Sequence, residues 1–141
     1  MEKQWDKVFK KYGKINMVRC LIKKGNKFLL VLEKNENTWE TPGGRLFAGE
    51  DIEKALLREV LEETGYKIRL IKPLIVAVSE SWEARDKKII CVIFKSEIIE
   101  KVREPELDII DIKWFSREEI KKLKPDWHDK EIFQMIVNKK L

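Results

Sequence analysis

Residues 44–66 read GRLFAGEDIEKALLREVLEETGY, and everything else in the chain is read outward from them. From Asp51 to Thr64 the composition is helical. Glu50, Asp51 and Glu53 stand at the positive end of the helix dipole, and Gly65 falls where a left-handed C-cap residue belongs. At 3.6 residues per turn, Glu59, Glu62 and Glu63 occupy i, i+3 and i+4, so their Cβ atoms gather on one face within about 5–6 Å. A step of about 100° per residue puts Glu59 and Glu63 in the arc of Ile52, Ala55 and Leu56, away from a purely solvated face. At roughly 6 Å and an effective dielectric near 20, each like-charged pair costs on the order of 3 kcal/mol, against the few tenths that a surface helix pair returns. A Glu-rich surface helix is the commoner arrangement. Here, however, Glu50 to Glu63 holds six acids against two bases, Lys54 and Arg58, a local charge of −4 in a chain of net +5. Carboxylates with no neighbouring His or Cys suit a hard ion, Mg²⁺ or Mn²⁺, which shares its shell with substrate phosphates. The helix therefore points to metal-assisted phosphate chemistry.

Upstream, Asn16–Ile22 and Lys27–Lys34 are β-rich and flank the turn residues Lys24-Gly25-Asn26, which predicts a hairpin. Trp39-Glu40-Thr41 reads as a short strand stopped by Pro42-Gly43-Gly44, since proline fixes φ and glycines admit backbone shapes closed to other residues. Residues 1–13 read as an amphipathic lead with Trp5, Val8 and Phe9 on one side. Downstream, Ile68–Val78, Lys88–Ile99 and Asp108–Phe115 read as strands. Ser116 and Glu119 form a capping box for a helix through Leu123, and a last helix runs from about Asp129 to Asn138. Strands and helices are mixed, with no repeat and no linker, so residues 1–141 form one α/β domain.

Composition narrows the classes. Of the 141 residues, 43% are hydrophobic, enough for a core, so a disordered or fibrous chain is excluded. No apolar run is long enough for a membrane helix and no secretory h-region is visible, so a cytoplasmic location without membrane contact is expected. Cys20 and Cys91 lie in apolar β-like runs and read as buried packing thiols. Lysine pairs such as Lys23-Lys24 and Lys121-Lys122 are interleaved with acids as on solvated faces, unlike a basic arm for nucleic acid.

From Gly44 the pattern is Gly44, five residues, Glu50, seven residues, Arg58-Glu59-Val60, one residue, Glu62-Glu63, one residue, Gly65-Tyr66. This resembles the Nudix box at every specified position, with Tyr66 as the bulky last residue. Trp39-Glu40-Thr41-Pro42-Gly43 and the late Trp114–Glu119 segment are also similar to Nudix hydrolases. The resemblance implies an α/β/α sandwich with a mixed β-sheet between helices, and hydrolysis of a diphosphate bond in a nucleoside diphosphate derivative. It implies that Glu59, Glu62, Glu63 and the Gly44 carbonyl hold Mg²⁺ or Mn²⁺. Glu50 would join that shell or orient a water, Arg58 would hold the glutamates, and Glu59 would help deprotonate water. The short chain resembles members that cleave nucleoside triphosphates and sanitise damaged nucleotides. ADP-ribose, dinucleoside polyphosphates and a non-catalytic nucleotide sensor remain alternatives, and a homodimer is open.

Elsewhere the chemistry is thin. His128, the single histidine, reads as a cap or surface residue, so a Ser-His-Asp enzyme finds no support. Gly43-Gly44 is followed by Arg45, which excludes a P-loop. Most of the five tryptophans read as packing. Trp82, with Glu80 and Arg85 between two strand-like runs, is the candidate substrate-contacting loop. An RNA substrate is disfavoured because no basic stripe with interleaved aromatics occurs.

Overall fold

The computed structural model describes residue 10 and residues 14–80 and 88–141. The expected amphipathic lead at residues 1–13 lies outside these apart from Lys10. The alternating apolar runs form β1 (Met17–Lys24), β2 (Lys27–Glu33), β4 (Tyr66–Glu80), β5 (Lys88–Lys101) and β6 (Ile109–Ser116), with a three-residue β3 (Gly43–Arg45). Helix α1 covers Ile52–Thr64, α2 Arg117–Lys121 and α3 Lys130–Val137, the last entered through a 3-10 turn at Trp127–Asp129. The strands run in the order β4-β5-β1-β2-β6, and β3 pairs with β1. β1 and β5 are parallel and the other pairs antiparallel, so the sheet is mixed.

Both faces of the sheet are covered, which explains the near-continuous apolar run of β1. Val18, Cys20 and Ile22 pack toward Ala55, Leu56 and Val60 of α1. Met17 and Leu21 pack toward Ile132, Phe133 and Ile136 of α3. The expected α/β/α layering is therefore present. Both cysteines are buried, and burial pushes the Cys91 thiol up to about 12 and Cys20 up as well, as inert packing thiols require.

The β1–β2 hairpin opens beyond its turn. The two strands pair only at Lys23↔Phe28 and Lys24↔Lys27. The returning chain fills the gap: Cys20 N–H donates to the Pro42 carbonyl at 2.9 Å, and Val31 and Glu40 exchange backbone bonds at 2.9 and 3.0 Å. This corrects the expected strand at Trp39–Thr41. Glu40 forms a single bridge, and the ladder begins past the proline at Gly43, where β1 supplies the partner. Gly43 adopts φ +148, and a Cβ there would lie 2.2 Å from the Val18 carbonyl oxygen, so only glycine fits against β1.

Other boundaries move outward or inward by a few residues. β4 and β5 outrun the expected strands because each pairs the other along nearly its full length. α2 has the expected capping box but stops at Lys121, its end tightened by i+3 bonds from Lys122 and Leu123. No helix among the described residues is long and apolar enough to cross a membrane.

Candidate functional site

Helix α1 is placed by its ends. The Asp51 side chain caps the N-terminus, accepting from Lys54 N–H at 3.0 Å. Gly65 takes φ +77 at the C-cap, where a Cβ would meet the Arg103 carbonyl oxygen at 1.8 Å. Between them the buried stripe of Ala55, Leu56 and Val60 carries Glu63 down against the sheet, leaving that residue 7% exposed. The expected phase of the helix is thus observed.

Two consecutive glycines receive the carboxylates. Gly43 N–H donates to Glu63 Oε2 at 3.0 Å. The space a side chain would fill at Gly44 is taken by Glu59: a Cβ there would stand 2.8 Å from the Glu59 carboxyl carbon. On the outer side Arg58 gathers the remaining acids. Its Nε and Nη2 donate to both Glu50 oxygens at 3.0 and 3.1 Å, and its Nη1 lies 3.2 Å from Glu59 and 3.3 Å from Glu62. Arg58 also lies 4.6 Å over the ring of Phe47. Glu50 accepts a further bond from Phe47 N–H at 3.0 Å, and these bonds hold its carboxyl below the usual range.

Glu59, Glu62 and Glu63 come together with three acids that sequence reasoning missed. Glu33, Glu106 and Asp108 line the same small cavity of about 160 Å³. Glu106 is placed by its own N–H, which donates to the Glu62 carbonyl at 2.9 Å. Burial pushes the Glu63 carboxyl well up, against the pull of Arg19 and of Gly43 N–H, and the neighbouring Glu33 and Glu59 push the same way. Glu59 is also raised, by burial first, with Arg58 opposing. Burial followed by Glu40 raises Glu33. The only sequence signal for Glu33 is an acid closing an apolar strand.

A second polar network lies across Gly43-Gly44. Arg19, 3% exposed, donates from Nη2 to Glu40 at 2.8 Å and from Nε to the Thr41 carbonyl at 3.0 Å. Asp129, fully buried, accepts from Thr41 N–H at 2.9 Å and from its hydroxyl at 2.6 Å. His128 is buried too, with Nε2 3.3 Å from Glu40 and Nδ1 3.2 Å from Asp129. This corrects its reading as a cap or surface residue: the 3-10 turn folds it inward against three charged groups. Among the described residues, Glu40, Asp126 and His128 bring one donor atom each within 4.8 Å of one another, a spacing suited to a metal ion, although Arg19 already rests on Glu40.

These side chains wall a polar cleft of about 330 Å³ that includes Gly43, Gly44, Arg45, Glu40, Trp127 and His128. Of the residues expected to contact substrate, Trp82 and Arg85 lie outside the described residues, and Glu80 is described only as the final residue of β4. The donor set at α1 fits a hard divalent cation. It is made of carboxylate oxygens, two of them pinned from outside by Gly43 and Arg58, and it faces an acidic cavity with a charge deficit.

The model of the NUDIX domain family matches residues 14–135. The chain belongs to the Nudix family. Among curated Nudix-type relatives, a Bacillus subtilis (strain 168) protein provisionally named 8-oxo-dGTP diphosphatase is 44% identical over 50 residues, 36% of this chain and 34% of the relative. The ADP-ribose pyrophosphatase of Methanocaldococcus jannaschii is 34% identical over 82 residues, 56% of this chain and 48% of that protein. The chain thus spans about half or less of the length of these curated relatives. A solved Nudix hydrolase from Nitrosomonas europaea superposes with a TM-score of 0.71 at 25% identity, covering 89% of this chain and 87% of that one.

Proposed function

We propose that this Nudix domain hydrolyses a diphosphate bond in a nucleoside diphosphate derivative, with a nucleoside triphosphate as the preferred substrate class. The observation that carries this reading is the placement of Glu59 and Glu63 by adjacent glycines at the edge of the polar cleft. Glu59, Glu62, Glu63 and the Gly44 carbonyl would hold Mg²⁺ or Mn²⁺. When bound, such an ion lowers the pKa of water and neutralises charge on phosphate oxygens.

The chain's own groups do the rest. Arg58 fixes Glu50, Glu59 and Glu62 with a planar fork of donors that a lysine could not supply. Glu59, held against Gly44 and beside Arg58, is the residue we assign to help deprotonate the attacking water. Glu50, with both oxygens committed to Arg58, acts as a positioning residue. In the cleft, Trp127 offers an aromatic face, while Glu40 and Asp126 offer acceptors for a base edge that carries N–H donors. The products would be a nucleoside monophosphate and pyrophosphate.

A second reading, ADP-ribose cleavage, is favoured by the Methanocaldococcus jannaschii relative. The test is incubation with Mg²⁺ and nucleoside triphosphates, ADP-ribose, dinucleoside polyphosphates or 5′-triphosphate RNA, with phosphorus-containing products resolved by chromatography. Monophosphate and pyrophosphate from a triphosphate are expected. Tight nucleotide binding with no product from any substrate would overturn hydrolysis in favour of a sensor.

A further inference from the structure

Arg19 is a charge set in the otherwise apolar start of β1, and at 3% exposure it is tolerated there because its donors are met. Its Nε donates to the Thr41 carbonyl at 3.0 Å and its Nη2 to the same oxygen at 2.6 Å, so two arms of one guanidinium close on a single backbone group. Nη2 also reaches Glu40 Oε2 at 2.8 Å, and Nε lies 3.2 Å from the Thr41 hydroxyl oxygen. A flat fork can do this, whereas an ammonium offers one point. The stem of the side chain is engaged as well. A Cβ at Gly43 would stand 2.6 Å from Arg19 Cα and 2.9 Å from its Cγ, so Gly43 rests directly on Arg19, its register partner in the β1–β3 ladder.

Between these two holds lies the peptide that joins Pro42 to Gly43. Pro42 has a fixed φ, so little freedom separates the clamped Thr41 carbonyl from that peptide. The peptide itself makes two opposed contacts: the Pro42 carbonyl accepts from Cys20 N–H of β1 at 2.9 Å, and Gly43 N–H donates to Glu63 Oε2 of α1 at 3.0 Å. A tilt of this one plane would swing the donor off Glu63 and carry the Gly44 carbonyl with it. Arg19 touches the chain on both sides of the plane, at the Thr41 carbonyl before it and at Gly43 after it. Asp129 holds Thr41 too, but through its N–H and hydroxyl, one peptide further from Gly43.

We propose that Arg19 is a positioning residue for the hydrolysis: by clamping the Thr41 carbonyl and supporting Gly43, it sets the peptide that aims Gly43 N–H at Glu63 and the Gly44 carbonyl at the cation. This role rests on the metal-dependent reading above and deepens it. Acting through the backbone, Arg19 governs the metal shell and turnover. It also lines the polar cleft, so direct contact with substrate is the competing role, and that role would show in KM.

Arg19→Lys and Arg19→Met keep the stem and lose the fork. Beside wild type and Asp129→Asn, the readouts are kcat and KM for a nucleoside triphosphate at saturating Mg²⁺, Mn²⁺ affinity without nucleotide by electron paramagnetic resonance, and melting temperature in EDTA. Both Arg19 variants are expected to lose about 10- to 100-fold in kcat and in Mn²⁺ affinity, the scale of losing a group that orients a metal shell, with KM within a few-fold of wild type. Asp129→Asn should melt lower yet keep kcat and Mn²⁺ affinity close to wild type, which separates positioning from a general loss of stability. If neither Arg19 variant folds, Pro42→Gly decides: it leaves the Arg19 partners in place but loosens the joint to Gly43, so the same losses support the proposal and wild-type values overturn it. Wild-type kcat and Mn²⁺ affinity in folded Arg19 variants would overturn the proposal and leave the hydrolytic reading intact. So would a rise in KM alone, which makes Arg19 a substrate contact, or equal losses in Asp129→Asn. Neither Mn²⁺ binding nor turnover by wild type would sink the metal-dependent reading itself.

Discussion

Asp129 and Glu63 are both buried carboxylates, on opposite sides of Gly43-Gly44, and they end in opposite electrostatic states. Burial alone would raise both. At Asp129 this is outweighed by His128, Arg19 and the two Thr41 donors, and the carboxyl stays below its usual range. At Glu63 burial wins: Arg19 acts from a distance, Gly43 N–H is a single donor, and Glu33 and Glu59 add repulsion. Partner count, not depth, sets the ionisation of a buried acid. Asp129 has a Thr41 donor on each oxygen; Glu63 is left with a deficit that a cation can fill, which is how a functional carboxylate differs from a structural one.

The largest expected effect breaks the deficient side. Glu63→Gln and Glu59→Gln should each lower turnover on the order of 10²- to 10³-fold, the scale of losing one fixed charge-stabilising group. Glu63→Gln should retain the fold, because the amide oxygen still accepts from Gly43 N–H, and it should melt no lower than wild type in EDTA. Turnover within a few-fold of wild type, measured with saturating Mg²⁺, would remove these residues from the reaction.

Next comes the satisfied side. Asp129→Asn removes one of the two buried carboxylates that face Arg19 and His128, a loss of roughly 3 kcal/mol. For a domain of this length that lowers the melting temperature by about 10 °C. Calorimetry should show the drop with and without Mg²⁺ alike, since the network sits apart from the acidic cavity. A shift under two degrees would show that Asp129 is dispensable and that Thr41 holds the Gly43 segment without it.

Gly44→Ala probes the seam between the two. The backbone there tolerates any residue, but the new methyl would press on the Glu59 carboxyl at 2.8 Å. The expected result is a fall in kcat/KM of about 10- to 100-fold, the scale of a small misplacement, with stability nearly unchanged. Unaltered kinetics would mean that the Glu59 position against Gly44 is not the working one.

Most of α1 was legible because its signals are local. Asp51, Gly65 and the i, i+3, i+4 spacing act within a few residues, and so do the capping box at Ser116 and the turn at Gly25. What was illegible depends on partners distant in sequence. β3 forms at Gly43–Arg45 because β1 lies open there, a fact no window around Pro42 contains. His128 reads as exposed beside Trp127, and only the fold brings Glu40 and Arg19 to it. Glu33, Glu106 and Asp108 are ordinary acids in their own segments, made special by one cavity. The box shows half of the acidic site, and topology supplies the other half.

The smallest effect sharpens the contrast through pH. Burial works to lower the His128 value, yet Asp129 and Glu40 outweigh it and the folded value stands above the ordinary 6.5. The stabilisation from its proton is therefore complete below 6.5 and disappears as pH rises through the folded value. Glu63 carries the same sign from a different cause. Its folded value is raised above 4.5, so the folded state holds that proton more tightly, and stability is lost as pH rises through the raised value. Asp129 runs the other way: lowered from 3.8, it contributes fully above that value and fails only in acid. In EDTA, urea midpoints should accordingly fall from pH 5 to pH 8.5. Glu63→Gln should flatten the part of the curve above 4.5, and His128→Gln the part above 6.5. Mg²⁺, which binds only the deprotonated carboxylate, should reverse the Glu63 part and leave the His128 part unchanged. A metal-free midpoint that rises with pH, or a slope indifferent to both substitutions, would show that the two sides of Gly43-Gly44 are not electrostatically distinct.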